Sequence, residues 1–344
     1  MCNIAGYVGA HNATPILIEM LRHQEGLNGG FYSGLAVHDG ENLAYRKVLG
    51  DVSNLVSTTD AETLSGTMGI AHSRTPSGGD ASWAHPFVTE RDGKVELCYV
   101  ANGSAGRFSN LNAEQARLAN ELVKSGYDIP CKLYKTDRTY LCLDDGANVH
   151  MSDVMCQLIY KHKSTGKALP DAMTVAFTEL PSEIVGLSVE RTFPDRICFS
   201  RINKPMFVAF DADGAYLASS PTAFPGHITE YKLLPALSSG TVYCDRYEVE
   251  PYPCFHVKVR GFNRRTVDLA KRIAMTLSEA GECGVSDIAR ALKKKLPRNE
   301  LLQAYTVTYI ALDELLRSGV IVAMQTEDVR EELVAPKTVF KRSI

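Results

Sequence analysis

The amino-acid sequence predicts an α+β fold of layered sheets and helices, followed by a small helical module. Three observations support this prediction. Short apolar segments separated by turn residues dominate the first hundred residues, as is typical of strands. Two segments with helical spacing of apolar residues follow, and then more strand-like segments. Near residue 255 the pattern changes to three helices and a strand, so we divide the chain into residues 1–255 and 256–344.

The first region alternates between strands and helices. NIAGYVGA predicts the opening strand, and TPILIEMLRHQEGL predicts a helix with Thr14 as its cap and Pro15 at its first position. NAEQARLANELVKSG predicts an amphipathic helix closed by Gly126, and MSDVMCQLIYKHKS predicts another helix. Further strands are predicted at SGLAVHDG, TMGIAHSR, VELCYVANG, AMTVAFTEL, RICFSRI, MFVAFDADG and AYLASS.

The second region contains three predicted helices and one short strand. Their sequences are RRTVDLAKRIAMTLSEAG, GVSDIARALKKKL with Ser286 as its cap, NELLQAYTVTYIALDELLRSG, and the strand VIVAMQT. Three helices followed by a strand are typical of a winged-helix module.

Composition excludes several functional classes. The net charge of −3 suggests neither a nucleic acid nor an anionic membrane as partner. No apolar run reaches the length of about 18 residues that a membrane span needs, and the N-terminus has no signal-peptide pattern. We therefore expect a cytoplasmic protein. The nine cysteines form no CxxC pair, so we expect no metal site.

Cys2 differs from the other cysteines because of its position. Removal of Met1 would give the first residue both a thiol and a free α-amine. An α-amine has a pKa of roughly 7.7–8, so it can act as general base for its own thiol. A Met-Cys start alone is weak support for this chemistry, so the prediction depends on the surrounding sequence.

Five segments occur in an order that supports this chemistry: MCNIAGYVGA, NGGFYSGLAVHDG, GIAHSRTPSGGDASWAHPF, CYVANGSAGRF and YKTDRTYL. Together they resemble the glutaminase domain of class II glutamine amidotransferases, which are N-terminal nucleophile hydrolases. The resemblance covers about residues 2–250. It implies a four-layer αββα sandwich, with a small winged-helix-like domain after it.

The resemblance also implies roles for individual residues. Cys2 would attack the side-chain amide of glutamine, while the Asn102 side chain and the Gly103 backbone N–H would form the oxyanion hole. Arg74 would bind the α-carboxylate of glutamine, with Ser77 as a further substrate-binding residue. Asp137 would accept hydrogen bonds from the α-ammonium group.

Each of these assignments has a structural alternative. Asn102 and Gly103 together form a common hairpin-turn sequence. Arg74 has the alternative of a surface arginine, and Asp137 that of a helix cap. We give His72 a structural role and expect His85 to organise its loop.

The sequence departs from the family pattern at several positions. The turn GGFYSGLA lacks the usual arginine and acidic residue, and Thr75, Pro76, Gly78, Ala101 and Thr139 replace other common residues. These departures put lid closure and coupling to an ammonia acceptor in doubt, whereas the residues needed for glutamine hydrolysis are retained.

The predicted reaction is the hydrolysis of free L-glutamine through a glutamyl thioester, and it needs no cofactor. No GxxxxGK[ST] loop follows, so we expect an ammonia-accepting synthase subunit as partner or a stand-alone glutaminase. Two alternatives stay open: a glutamine-sensing regulator, and a hydrolase of another amide.

The C-terminal module has two candidate partners. KVRGFNRR, AKR and KKK make residues 258–298 locally basic, which suits DNA. Its third helix, however, is apolar and carries Asp313 and Glu314, which do not suit a helix in the major groove. We favour protein contact over DNA, and we expect a homo-oligomer.

Overall fold

The computed structural model describes residues 2–134, 140–253, 255, 258–298, 300–330 and 333–343. Its strands are β1 (Asn3–Gly9), β2 (Tyr32–His38), β3 (Leu43–Leu49), β4 (Met68–Arg74), β5 (Phe87–Arg91), β6 (Lys94–Ser104), β7 (Leu141–Cys142), β8 (Asn148–Val149), β9 (Glu183–Glu190), β10 (Ile197–Arg201), β11 (Phe207–Phe210), β12 (Gly214–Ala218), β13 (Lys232–Leu233), β14 (Ser238–Val242), β15 (Tyr247–Pro251), β16 (Ile321–Arg330) and β17 (Leu333–Arg342). Its α-helices are α1 (Ala13–Gln24), α2 (Val52–Thr58), α3 (Asn112–Lys124), α4 (Met151–Lys163), α5 (Leu169–Glu179), α6 (Arg264–Ala280), α7 (Val285–Lys293) and α8 (Ala304–Arg317). Within the described chain, no helix combines the length and the apolar character needed to cross a bilayer.

Two large sheets form the centre of the molecule. One has the strand order β13-β11-β12-β1-β4-β2-β3, and the other has the order β15-β14-β10-β9-β6-β5. Apolar side chains from facing strands, such as Ile4, Val100 and Phe199, fill the space between the sheets. Helices α1 and α2 cover the outer face of the first sheet, and α4 and α5 cover that of the second. This mixed fold confirms the predicted layered α+β class.

Strand β1 is buried on both faces. Ile4 and Val8 point toward the second sheet, while Ala5 and Tyr7 point toward the helices, as the alternation of side chains along a strand requires. It pairs antiparallel with β12 on one side and β4 on the other. Cys2, which immediately precedes β1, is therefore attached to an interior strand of the sheet.

The C-terminal helices and hairpin pack directly against the sandwich. Leu312 and Leu315 of α8 belong to the same apolar core as Leu17 of α1. The Asn28 side chain donates a 2.8 Å hydrogen bond to the hydroxyl of Tyr309. This shared core joins the regions on either side of residue 255, and the division into two domains stays a prediction.

Strand β17 packs on the turn that connects α1 to β2. Its Thr338 N donates to the Gly26 carbonyl (2.9 Å), and the Thr338 hydroxyl donates to the Glu25 carbonyl (3.1 Å). Gly26 has a φ of +83°, and a Cβ there would lie 2.8 Å from Thr338 N. The turn therefore needs glycine at this position, both for its conformation and for the close approach of β17.

Two predicted helix caps were wrong. The cap of α1 is Asn12, whose side-chain oxygen accepts from Thr14 N (3.3 Å), so Thr14 lies inside the helix. The cap of α7 is Gly284 rather than Ser286, and its N–H donates to the Asp287 carboxylate (3.0 Å). In each case the helix begins before the predicted cap, because a residue nearer the N-terminus completes the capping hydrogen bonds.

The segment AMTVAFTEL was predicted as a strand but forms most of helix α5. Its Val, Thr and Phe residues favour strands locally, yet Ala172, Met173, Ala176 and Phe177 form one buried helical face. VIVAMQT was correctly predicted to enter a strand, although β16 is longer and pairs with β17, which was not predicted.

We expect Leu312→Ala to destabilise the whole chain by about 2–5 kcal/mol, because Leu312 is buried in the shared core. The measurement is urea unfolding followed by circular dichroism and by the fluorescence of Trp83, the sole tryptophan of the chain, which is buried in the sandwich. Both signals should shift together. Val329→Ala, at an exposed side chain, is the control. A variant that loses its helical circular dichroism at lower urea, while the urea midpoint of the Trp83 fluorescence is unchanged, would contradict a shared core.

Candidate active site

A cavity of about 400 Å³ opens beside Cys2, where the two sheets meet α3 and α4. Four of the predicted site residues line it, namely Cys2, Ser77, Asn102 and Gly103. The other described lining residues are Thr75, Ser104, Ala105, Asn112, Gln115, Tyr140, Leu141, His150, Met151, Ser152 and Lys204. The cavity therefore brings together the predicted nucleophile and the predicted oxyanion-hole residues.

The Cys2 backbone connects the two sheets. Its N–H donates a 3.0 Å hydrogen bond to the side-chain oxygen of Asn102, which lies on β6 of the second sheet. The adjoining Asn3 is buried, and its side-chain amide donates to the Gln24 carbonyl (2.8 Å). These contacts fix the start of β1, so the direction of the Cys2 side chain is set by the sheet core.

The Cys2 thiol lies in an environment that favours the thiolate. Burial raises its pKa, but hydrogen bonding and charge from His72, the charge of the N-terminal amine and a hydrogen bond from the Thr75 backbone lower it, and the resulting pKa is about 6. The sulfur lies 3.8 Å from the Thr75 hydroxyl. A cysteine with such a pKa is largely thiolate at neutral pH, which is the nucleophilic form.

Asn102 and Gly103 lie within a strand. They pair with Val185 and Ile184 of β9, so the alternative of a hairpin turn at Asn-Gly is wrong. A Cβ at Gly103 would lie 2.7 Å from the Ile184 side chain, so glycine lets β6 and β9 pack closely here. This packing holds the Gly103 backbone beside Cys2 in the cavity wall.

Arg74 lies beneath the loop that follows β4. Its guanidinium is about 1% exposed and donates to the Gly78 carbonyl (2.9 Å) and the Ser77 hydroxyl (2.8 Å). It also stacks on the ring of Tyr32, with 4.4 Å to the centroid. The alternative of a surface arginine is therefore wrong, while binding of a carboxylate by Arg74 stays a prediction.

Asp137 lies outside the described residues, and its role in binding the α-ammonium group stays a prediction. The alternative of a helix cap at Asp137 lies outside the described residues as well. Residues 140–150 contain the short strands β7 and β8, and the next helix, α4, begins at Met151. His150 caps that helix, because its Nδ1 accepts from Ser152 N (3.1 Å).

Three histidines pack together on the inner side of the cavity. The ring of His85 stacks on that of His72 with 3.8 Å between centroids and lies edge-on to His150 at 5.4 Å. Burial, together with the neighbouring cationic groups, holds the pKa values of His85 and His150 well below the ordinary range. These two rings are therefore neutral at physiological pH.

Part of the cavity wall is polar. Gln115 is buried there and donates to the Pro181 carbonyl (2.8 Å), but its side-chain oxygen has no partner among the described residues. Lys204 is the basic side chain of Lys or Arg type among the described lining residues, and it pairs with Glu183 at 3.1 Å. No three His, Cys, Asp or Glu side chains in the described ranges are arranged to hold a metal ion.

Known proteins with similar sequences include glutamine–fructose-6-phosphate aminotransferases. That of Bacteroides thetaiotaomicron is 28% identical over 226 residues, which are 64% of this chain and 32% of the relative. That of Chlorobaculum tepidum is 27% identical over 255 residues, 73% of this chain and 37% of the relative. That of Thermus thermophilus is 39% identical over 142 residues, which are 41% of this chain and 23% of the relative. The resemblance to class II glutamine amidotransferases is confirmed.

The chain spans about a third of the length of these relatives. No family model matches it. Among solved structures, the PRPP amidotransferase of B. subtilis superposes with a TM-score of 0.60 at 14% identity, over 94% of this chain and 66% of its own. The allosteric regulatory enzyme of purine biosynthesis superposes with a TM-score of 0.60 at 17% identity, over 80% of this chain and 57% of its own. These structures share the fold.

Sequence reasoning missed several residues of this candidate site. Thr75 and His72 lower the pKa of the Cys2 thiol, and Gln115 and Lys204 line the cavity. His72 and Thr75 lie within two residues of the motif residue Arg74, and this closeness in sequence could have indicated that they belong to the site. Gln115 and Lys204 lie far from every motif and reach the cavity only through the tertiary fold.

Glu25 supports the site from behind, through the Ser73 hydroxyl (3.3 Å) and Val52 N (3.0 Å). Burial raises the pKa of Glu25 to about 7, so folding favours its protonated form. The associated stability is fully present below the ordinary glutamate pKa and is lost as the pH rises through 7.

We therefore expect Glu25→Gln to gain stability relative to the unaltered chain between pH 5 and pH 8, by about 1–3 kcal/mol. The measurement is the free energy of unfolding in urea at the two pH values. Glu62→Gln removes an exposed carboxylate and serves as the matched control. A difference between Glu25→Gln and the unaltered chain that stays constant with pH would contradict the prediction.

Proposed function

We propose that the chain hydrolyses free L-glutamine to glutamate and ammonia, with Cys2 as nucleophile. The observation that carries this proposal is the 3.0 Å hydrogen bond between Cys2 N and Asn102, which brings the nucleophile and the oxyanion-hole candidates to one cavity. The low pKa of the Cys2 thiol, about 6, adds support because the reaction begins with a thiolate. The similarity to glutamine–fructose-6-phosphate aminotransferases agrees with this chemistry.

In the proposed reaction, Cys2 Sγ attacks the side-chain carbonyl carbon of glutamine. The Asn102 side chain and Gly103 N–H stabilise the oxyanion of the tetrahedral intermediate. Ammonia then leaves, a glutamyl thioester remains on Cys2, and water releases glutamate. This half-reaction needs no metal ion and no organic cofactor.

Substrate recognition is proposed to involve Arg74, Ser77 and Asp137. Arg74 already bonds to Ser77 and Gly78, so binding of the α-carboxylate would require it to exchange those contacts. The N-terminus of α4, at Met151 and Ser152, also faces the cavity and favours negative charge. Both features suit a substrate that carries a carboxylate.

The ammonia is proposed to pass to a synthase partner. The relatives named glutamine–fructose-6-phosphate aminotransferases are about three times as long as the matched region, and their names specify an acceptor for the nitrogen. The acceptor of this chain stays unidentified, and assembly as a homo-oligomer stays a prediction.

We propose that the C-terminal module is winged-helix-like and makes protein contacts rather than reading DNA. Its third helix, α8, is buried against the sandwich and bonds to it through Asp313, which accepts from Tyr231 at 3.0 Å. A helix covered in this way is not available to a DNA groove. Salt-dependent binding of duplex DNA by the full chain would contradict this part of the proposal.

We expect the purified chain to release glutamate from glutamine, and Cys2→Ala to abolish the release. The N-terminus is checked by mass spectrometry, because the reaction as proposed begins with a correctly processed chain. Cys244→Ala, at an exposed cysteine outside the cavity, is the matched control and should keep full activity.

Persistence of glutamate release in Cys2→Ala would disprove Cys2 as nucleophile. A substrate panel with asparagine and a γ-glutamyl peptide separates glutamine hydrolysis from hydrolysis of another amide. Preference for either compound over glutamine would overturn the proposed substrate. Tight glutamine binding without turnover would instead support a sensor.

We expect Asn102→Ala to lower kcat by about 10²–10³, since it removes one oxyanion donor. KM should change less, because the interaction forms mainly in the transition state. Steady-state kinetics of glutamate release measure both constants, and the Trp83 fluorescence of the variant checks the fold. An unchanged kcat would argue against an oxyanion role for Asn102.

A further inference from the structure

A second cavity lies at the edge of the sandwich. Its volume is about 310 Å³, which is at the low end of the range for small-molecule sites. It is lined by β3 and β5, which are edge strands of the two sheets, and by α4. No described residue lines both this cavity and the one beside Cys2. The second cavity is therefore a separate candidate site.

Three polar side chains in the wall of the second cavity are almost fully buried. Asp153 is 1% exposed, Gln157 2% and Thr89 3%. The Thr89 hydroxyl donates to the Gln157 side-chain oxygen (3.0 Å), and the Gln157 amide donates to Asp153 (3.3 Å). The Asp153 carboxylate also accepts from Cys131 N (3.1 Å). These bonds hold the carboxylate in place, but both of these donors are neutral.

Lys47 brings a positive charge to the same cavity. Its Nζ donates to the carbonyls of Ser82 (3.0 Å) and Pro86 (3.4 Å), and it lies 5.1 Å from the ring centroid of Phe87. Burial lowers the pKa of Lys47, and the charge of Asp153 opposes that effect. Among the described residues, neither Lys47 nor Asp153 has an ion-pair partner, although the two line one cavity.

This arrangement of charges has a clear chemical complement. A carboxylate or an ammonium group that is removed from water is stabilised when a group of opposite charge lies beside it. A ligand that carries both an ammonium group and a carboxylate supplies the two missing partners at once. Exposed charges of both signs, on Glu90, Arg91 and Asp128, complete the wall, so it does not select a ligand of one net charge.

We propose that the second cavity binds a free α-amino acid, with its ammonium group on the Asp153 carboxylate and its carboxylate on the Lys47 ammonium. Both contacts are charge-assisted hydrogen bonds, which are the stronger kind. The inference goes beyond glutamine hydrolysis and does not depend on it, because no described residue assigned to that reaction lines this cavity.

Two connections join the second cavity to the candidate active site. Ser152 lines the cavity beside Cys2, and the next residue, Asp153, lines the second cavity. Cys131 donates from its backbone N–H to Asp153, and its sulfur accepts from His150 N (3.1 Å). His150 also lines the cavity beside Cys2. A ligand on Asp153 would therefore contact the turn of α4 that forms part of the candidate active site.

The experiment titrates the purified chain at pH 8 with L-alanine, L-serine, L-methionine and L-arginine, and measures binding by isothermal titration calorimetry. Burial raises the pKa of Asp153 to about 6, so its carboxylate is ionised at this pH. The fluorescence of Trp83 reports the place of binding, because the adjacent Ser82 lines the cavity. We expect at least one of the four to bind and to change this fluorescence.

Analogues of the bound amino acid test the need for both charges on the unaltered chain. One analogue lacks the carboxylate and the other lacks the ammonium group, as ethylamine and propionate do for alanine. We expect each analogue to bind about tenfold more weakly or worse, because it leaves Lys47 or Asp153 without its partner. Binding of either analogue as tightly as the amino acid would overturn the proposal.

Two variants remove the charges from the protein. Lys47→Met keeps an unbranched side chain beside Phe87, and Asp153→Asn keeps the shape of the carboxylate. We expect each variant to weaken binding about tenfold or more. Lys94→Met and Asp195→Asn remove exposed charges outside the cavity and are the matched controls. If Asp153→Asn fails to fold by circular dichroism, Lys47→Met and the analogues still decide the outcome.

Two further results would overturn the proposal. One is the absence of binding by all four amino acids. The other is binding that the folded Lys47 and Asp153 variants leave unchanged, because the ligand would then lie elsewhere, for example beside Cys2. These measurements need no turnover of glutamine, so their failure is distinguishable from a failure of the proposed function.

Discussion

The hydrogen bond from Cys2 N to the Asn102 side chain is the contact on which the candidate site depends. Cys2 precedes an interior strand of one sheet, and Asn102 lies near the end of a strand in the other. The bond therefore has the right length only when the two sheets pack at the correct distance and offset. Because Ile4, Val100 and Phe199 fill the space between the sheets, the apolar core sets the geometry of the nucleophile and its oxyanion donors.

A second layer of support lies behind the nucleophile. The last residue of α1, Gln24, bonds to β1, and the turn after α1 bonds to β4 through Glu25 and to the C-terminal hairpin through Thr338. Tyr309 of α8 reaches the same turn through Asn28, and burial raises the pKa of its hydroxyl. The C-terminal module is thus part of the framework that holds the catalytic strand, whatever else it contacts.

The sequence predicted the layered class and most strands of the sandwich, because the alternation of apolar and polar residues is visible within short segments. It also predicted four residues that line the cavity, because these lie in motifs adjacent to strand ends. It did not predict α5, where Val, Thr and Phe favour a strand locally and only the tertiary core selects the helix. For Asn102 and Gly103 the sequence allowed either a role in the site or a hairpin turn. The pairing of β6 with β9 in the structure excludes the turn.

The contact between Gly26 and the hairpin has a consequence for related chains. A side chain at this position would collide with the backbone of Thr338, and at Gly30 a Cβ would come within 3.3 Å of Ala335 and Pro336. The turn and the hairpin must therefore vary together during evolution. A homologue with bulky residues at both turn positions would have to dock its C-terminal segment elsewhere or possess a different one. The identity of two glycines near the N-terminus thus serves as a marker of a module that begins more than two hundred residues later in the same chain.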